Sequence, residues 1–295
     1  MDIHVTGARG FTGTHVVRAL AGLGRIAASD VDTLDIADAA AVLAAFKARP
    51  PDVLVHLAAL KGNKPSRDNP LEFHRVNTTG TLNLLEACRA LGVKRVVFVS
   101  SLTVHGRSET PVDESSPIRP QHPYGATKAA GEALIHAYTE SYGMEAVILR
   151  PNFIVGPIPP PHPYVDNIMY DFMAAVDSKG YIELAGDGSY QREWVHPEDV
   201  ASAVRLGVEF RAGGCETFIL AANRMSMREL ARRVVETMGR GEVRTNPAMS
   251  GFSLVSSSTK AMHVLGWKPR HDVQGIINQV WHEYTGRKNH PDHRH

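Results

Sequence analysis

The amino-acid sequence predicts an α/β fold in which a doubly wound parallel sheet precedes a smaller mixed α/β region. Three observations lead there. Short β-rich apolar runs alternate with longer segments of helical period through the first half of the chain. A glycine-rich stretch joins the first of these runs to the first helix, and the composition changes after Leu149.

Taken in order, strands are expected at Ile3 to Thr6, Val53 to Leu57, Val96 to Ser100 and Ala146 to Leu149, where aliphatic and β-branched residues run together as they do in a sheet buried on both faces. A second strand ends at Asp30. Helices are expected at Thr14 to Leu23, Ala39 to Ala48, Asn77 to Leu91 and Tyr124 to Tyr142, with apolar residues three and four apart. Gly24, Gly92 and Gly143 follow three of them and suit left-handed caps. Pro151, Pro157, Pro159, Pro160, Pro161 and Pro163 then forbid regular structure, so a loop or lid begins there. Beyond it Val165 to Val176, Val200 to Glu209 and Met227 to Met238 read as helices, with short strands at Ile182 to Leu184 and Thr217 to Leu220. The expected division is residues 1–150, then 151–285 partly interleaved with the first part, then a polar tail at 286–295.

With 295 residues, 43% of them hydrophobic and 21% charged, the chain suffices for one large domain or two small ones, and it is neither disordered, collagenous nor coiled coil. Lysine and arginine total 32 against 31 acidic residues. That balance provides no broad positive field, so neither nucleic acid nor an anionic membrane is expected as a partner. No apolar run approaches the ~20 residues of a membrane span, and Met1 to Val5 lead straight into a strand-like segment without a leader pattern. Cys88 and Cys215 have no metal-ligand or redox spacing and read as buried thiols. A soluble cytoplasmic protein is expected. His290, His293 and His295 lack a carboxylate or a helical spacing, so no metal is expected either.

Three stretches carry chemistry. Gly7-Ala8-Arg9-Gly10-Phe11-Thr12-Gly13 lies between a strand and a helix, where glycines let backbone N–H groups approach a pyrophosphate favoured by the helix N-terminus. A ligand-free structural turn is the competing reading. In Tyr124-Gly125-Ala126-Thr127-Lys128 a phenol and an ammonium share one helix face. A phenol of ordinary pKa ~10 becomes a useful base near neutrality when a cation stabilises its phenolate, and it can then exchange a proton with an alcohol or carbonyl. Third, Val96-Val97-Phe98-Val99-Ser100-Ser101 delivers two hydroxyls to the carboxyl end of a buried strand, the edge at which open parallel sheets bind ligands, and that of Ser101 can hydrogen-bond the reacting oxygen. Asp30 can accept hydrogen bonds from a ribose 2′-hydroxyl, which favours NAD, whereas Arg9 can reach a 2′-phosphate, which keeps NADP as the alternative.

On these residues, and on Asp52-Val53-Leu54-Val55-His56-Leu57-Ala58-Ala59, Val76-Asn77-Thr78-Thr79-Gly80-Thr81 and Gly186-Asp187-Gly188, the chain resembles the extended short-chain dehydrogenase/reductase family, nearest its nucleotide-sugar epimerase and dehydratase branch. The resemblance covers roughly residues 1 to 285 and implies a Rossmann-type fold. It implies further that Gly7, Gly10, Phe11 and Gly13 admit the dinucleotide, that Asp35 and Ile36 lie around its adenine, that Leu57, Ala58 and Ala59 run along it, and that Asn77 is a helix-start residue beside it. Ser101 matches the catalytic Ser/Thr, Tyr124 the base, and Lys128 the residue that binds the nicotinamide ribose and lowers the tyrosine pKa. Lys61 and Arg192 resemble substrate positions, the arginine pairing with a nucleotide diphosphate through its planar fork. Asn152 falls one place before the family's substrate asparagine, which aligns with Phe153. His105 stands where a tyrosine commonly precedes the glycine, and Leu102-Thr103 replaces the Asp-Glu pair of the 4,6-dehydratases.

The resulting expectation is an NAD-dependent epimerase of a nucleotide-activated sugar, working by transient hydride transfer and forming a homodimer. The alternatives are an NAD(P)H-dependent ketoreductase or dehydrogenase on a nucleotide sugar or other small carbonyl compound, and a non-catalytic dinucleotide-sensing binding protein.

Overall fold

The computed structural model describes residues 1–108, 110–158, 167–211 and 213–289. Six strands form its main sheet: β1 (Asp2–Thr6), β2 (Arg25–Ser29), β3 (Val53–His56), β4 (Arg95–Val99), β5 (Glu145–Pro151) and β6 (Cys215–Leu220). They lie in the order β6-β5-β4-β3-β1-β2, every neighbouring pair parallel. Succession reverses between β1 and β3, and in open parallel sheets that is where a crevice opens beyond the strand carboxyl ends.

Strand alternation sends side chains to two cores. Val5, Val53, Val55, Val97, Val99, Val147 and Leu149 face the Gly13–Leu20 and Pro197–Glu209 helices through Val16, Leu20, Val200, Val204 and Val208. Leu54, Val96, Phe98, Ala146 and Ile148 face the other way, onto Val42, Phe46, Leu84, Leu85 and Ile135 of the Ala39–Ala48, Gly80–Leu91 and Pro123–Tyr142 helices. Burying each large apolar side chain contributes on the order of 1.5–3 kcal/mol. Local signals fix the ends. Asp38 Oδ1 accepts from the amides of Ala40 and Ala41, both at 3.0 Å, and starts its helix. Gly92 and Gly143 close theirs in the left-handed region, at φ of 72° and 61°.

Gly24 does not cap. The first helix stops at Leu20 and the left-handed turn falls on Gly22, at φ 89°. Gly24 is glycine because a Cβ there would lie 2.0 Å from the Met1 carbonyl oxygen, where the chain enters β2 beside β1. Asn77 does not start a helix either. It sits in a π-helical turn, His74–Thr79, that links Pro70–Phe73 to Gly80–Leu91.

A second layer packs the Ile168–Lys179, Met227–Met238 and Val273–Asn289 helices around a parallel pair, Tyr181–Ala185 with Glu242–Asn246. The Pro197–Glu209 helix and β6 return from this layer to the first sheet. The expectations at Pro159 to Pro161, Pro163, Val165, His290, His293 and His295 lie outside the described residues. Among the described residues no helix is long and apolar enough to cross a membrane.

Three of the four buried histidines among the described residues are His4, His56 and His196, and burial keeps their rings neutral. His56 bridges Thr6 Oγ1 at 2.8 Å and Thr81 Oγ1 at 3.0 Å, and His4 meets Ser29 Oγ at 2.9 Å. Burial pulls His56 down to about 3, and His4 and His196 down to about 4. Unfolded, each titrates near 6.5. Above that pH both states are neutral. As pH falls from about 6.5 towards 4 the unfolded chain gains protons that the folded one refuses, so stability is lost across that window. Urea unfolding midpoints should therefore fall steadily from pH 7 to pH 4.5; a constant midpoint would contradict the burial of these rings as neutral groups.

Candidate active site

The crevice at the β1/β3 reversal is built by the glycine loop. At Gly7, φ is 68° and a Cβ would stand 2.7 Å from the Ala58 amide nitrogen; at Gly13 it would stand 2.0 Å from the Gly7 carbonyl oxygen. These two glycines close the loop against β3 and the helix. Gly10 differs, since its Cβ would meet only the Gly7 oxygen, at 3.2 Å. A cavity of about 300 Å³ lies there, lined by Gly7, Gly10, Asp30, Asp35, Ile36 and Leu57 to Leu60 among others. An extended phosphate-bearing ligand fits such a place: bare backbone at its centre, a helix N-terminus beneath, and apolar walls along one side.

Asp30 at the end of β2 accepts the Arg9 amide at 3.0 Å and the Val31 amide at 2.9 Å, which fixes its carboxylate on the cavity rim. The Arg9 guanidinium is paired with Asp32. Asp35 is held below the usual carboxylate range by the Ala37 amide first and then by Arg75, whose guanidinium lies 3.0 Å away and also clasps Glu72. Arg75 and Glu72 line the cavity and carried no sequence signal of their own. Ile36 seats against Gly80, where any Cβ would come within 2.6 Å of it.

Beyond β4, Ser101 caps a 3₁₀ turn, Leu102–His105, through its oxygen, which accepts the Thr103 amide at 3.3 Å and the Thr103 hydroxyl at 2.9 Å. The Pro123–Tyr142 helix brings Tyr124 to the same place. Burial raises its phenol to about 12, and a hydrogen bond with Ser101 works against that rise. Lys128, one turn on, is buried and donates to the Val99 carbonyl at 2.8 Å, with Phe98 under its ammonium at 4.7 Å. Desolvation pulls it down to about 7, opposed by Glu132 another turn on. The lysine thus turns to the end of β4, and in the protein alone the phenol stands above its ordinary value, where the sequence suggested a value below.

Glu132 escaped sequence reading. Its carboxylate accepts the Ser100 hydroxyl and a forked pair from Arg150, at 2.6 Å and 3.0 Å, and Arg150 also meets His105 at 3.1 Å. The i, i+4, i+8 spacing from Tyr124 was its signal. Asn77 is buried with its amide group engaged: Oδ1 accepts from the Leu60 amide at 2.8 Å, and Nδ2 donates to the Leu60 carbonyl at 2.9 Å and to Thr127 Oγ1 at 3.0 Å. It braces the loop after β3 against the Tyr124 helix and does not line the cavity.

Lys61, outside the cavity lining, stands 5.8 Å from the Phe11 ring. Asn152 is turned inward, donating to Glu193 Oε2 at 3.0 Å, so it holds Glu193 while its neighbour Phe153 lies at the surface. Arg192 is nearly buried, 4.1 Å from the Phe252 ring centroid and 5.4 Å from those of Phe153 and Tyr190, and it donates to the Phe252 carbonyl. Among the described residues no carboxylate pairs with it: Glu193 meets Arg224, and Asp199 meets His271. Desolvation lowers it to about 10. His196, Glu198 and His271 cluster elsewhere, but both nitrogens of His196 are engaged, by Gln279 at 3.0 Å and by the Glu198 amide at 3.2 Å. Its ring stacks on His271 at 3.9 Å and 21°, so the lone pairs do not converge as a metal requires.

Comparison with known proteins gives a consistent result. The model of the NAD dependent epimerase/dehydratase family matches residues 3–219. A UDP-glucose 4-epimerase of Mycolicibacterium smegmatis is 34% identical over 94% of this chain and 96% of its own. Among solved structures, the UDP-glucose 4-epimerase of Thermus thermophilus in complex with NAD superposes with a TM-score of 0.84 at 29% identity, over 97% of this chain and 99% of that one. The UDP-glucose 4-epimerase of Thermotoga maritima with UDP-glucose gives 0.86 at 25%, over the same shares.

Proposed function

The chain belongs to the NAD dependent epimerase/dehydratase family, and from that premise we propose that it is an NAD-dependent 4-epimerase of a uridine diphosphate sugar. The observation that carries the reading is the hydroxyl chain Thr103–Ser101–Tyr124 at the carboxyl end of β4. It offers the Tyr124 phenol as the proton-exchanging group, and the two positions after Ser101 carry no acid or base of their own, since Leu102 is apolar and Thr103 is engaged with Ser101. Oxidation and re-reduction of one carbon need only that. Elimination of water needs an acid–base pair.

The glycine loop with Gly10 would hold the pyrophosphate of NAD, Asp30 the adenosine ribose hydroxyls, Asp35 and Ile36 the adenine surroundings, and Leu57 to Ala59 the stretch leading to Ser101. The engagement of Arg9 with Asp32 and the carboxylate at Asp30 favour NAD over NADP. When bound, NAD would supply a hydride acceptor and donor for the sugar carbon and a cationic ring that favours the phenolate of Tyr124. Ser101 holds the sugar oxygen; Tyr124 Oη accepts its proton as the carbonyl forms and gives it back when the hydroxyl is restored. Lys128 orients the ribose and carries positive charge to the same end of the helix. Arg192, without a carboxylate partner among the described residues, suits the diphosphate.

The purified protein should convert UDP-galactose to UDP-glucose without added NADH and without steady change of absorbance at 340 nm, and NAD should leave it on denaturation. Stoichiometric consumption of NADH with a keto-sugar would overturn the epimerase in favour of a ketoreductase.

A further inference from the structure

Arg192 is not the only cation at its aromatic wall. Arg107 lies 4.5 Å from the centroid of the same Phe252 ring that Arg192 approaches at 4.1 Å. Its place is dictated by the turn after Ser101: Gly106 adopts φ 68°, and a Cβ there would stand 2.3 Å from the Arg119 carbonyl oxygen, so the chain passes Arg119 tightly and delivers the next side chain towards residue 252. Phe252 packs in turn on a small cluster with Leu102 and Leu254, which ties both arginines to the Ser101 turn. Gly251 is required here as well, since its Cβ would come within 2.1 Å of the Tyr190 ring that flanks Arg192.

The two guanidinium groups feel each other: the charge of Arg107 adds to the desolvation that depresses Arg192. Arg107 also acts on His122, the residue that opens the Tyr124 helix. Among the described residues Arg107, like Arg192, has no carboxylate partner. Two like charges held at one ring repel, and an anion that accepts from both forks removes that repulsion.

We propose that Arg107 is a second anion-binding arm of the substrate site, sharing the diphosphate of the nucleotide sugar with Arg192. This rests on the epimerase reading above. The alternative source of the same chemistry is a carboxylate on the sugar.

The test is calorimetric binding of UDP, UMP, uridine and UDP-glucuronic acid to the NAD-loaded protein, comparing the wild type with Arg107→Ala and Arg107→Lys. Arg107→Ala should weaken UDP at least tenfold and UMP less, leave uridine unchanged, and flatten the salt dependence of UDP binding. Arg107→Lys should recover part of the loss. Because Arg107 is exposed, the thermal midpoint should stay put. UDP binding within twofold of wild type in Arg107→Ala overturns the proposal. A loss confined to UDP-glucuronic acid also overturns it, and assigns Arg107 to a sugar carboxylate. If the wild type itself does not bind UDP, the substrate reading falls with it, a different outcome from failure of the variant alone.

Discussion

Replacing Tyr124 with phenylalanine is expected to lower the turnover of UDP-galactose by about a thousandfold, within the range that a positioned acid–base group contributes, while NAD stays bound. The reason is local. The ring of the variant keeps its edge-on packing against Phe73, at 6.4 Å and 86°, and the glycine loop and cavity walls belong to other elements. Only the hydroxyl that meets Ser101 is lost. With it goes the one group among Ser101, Thr103 and Tyr124 whose proton affinity a nearby cation can tune into the working range. Steady-state turnover together with NAD content by mass spectrometry checks this. Turnover within tenfold of wild type would remove Tyr124 from the chemistry, and loss of NAD in the variant would make its role structural.

Glu132→Ala should cost about 3–5 kcal/mol of stability, the usual consequence of taking one partner from a buried ion pair. The Glu132 and Arg150 side chains are 1% and 4% exposed, so the arginine left behind is shut from water and, among the described residues, has no second carboxylate. Its remaining neighbour is His105, whose own pKa is lowered, by burial first and by Arg150 next. A double variant, Glu132→Ala with Arg150→Met, should recover much of the loss, because the buried charge is then gone altogether. Urea unfolding of the three proteins decides it. A loss below about 1 kcal/mol in the single variant would mean that solvent reaches the pair.

How far the sequence disclosed this molecule follows from the range of each interaction. Strands written as continuous aliphatic runs, such as Val96 to Val99, were legible, because a sheet covered on both faces leaves no polar alternation to confuse. So were Gly92 and Gly143, since a helix end is a local event. Gly24 misled because its requirement comes from Met1, a neighbour brought by the β1–β2 pairing and not by the preceding helix. The Thr217 to Leu220 strand was seen, but its sheet was not, for parallel pairing with β5 leaves no mark in either segment alone.

The site shows the same division. Gly7, Gly10 and Gly13, Ser101, Tyr124 and Lys128 are marked as candidates by type and spacing. Arg75 and Phe252 are not, since each acquires its role only from residues distant in the chain. Asn77 and Asn152 illustrate the reverse. Both asparagines stand near the site, and both have their amides engaged by neighbours: Leu60 and Thr127 for one, Glu193 for the other.

The position of β6 has a consequence for how the protein is made. β5 is complete about sixty residues before β6 begins, an interval on the order of several seconds at roughly 5–20 residues per second of synthesis. During that time the outer margin of β5 offers a row of unpaired peptide groups beside Ala146, Val147, Ile148 and Leu149, a template for a strand from any passing chain. The nascent polypeptide is thus most open to mispairing after β5 has emerged from the ribosome, and a chaperone that shields that margin would act before β6 emerges.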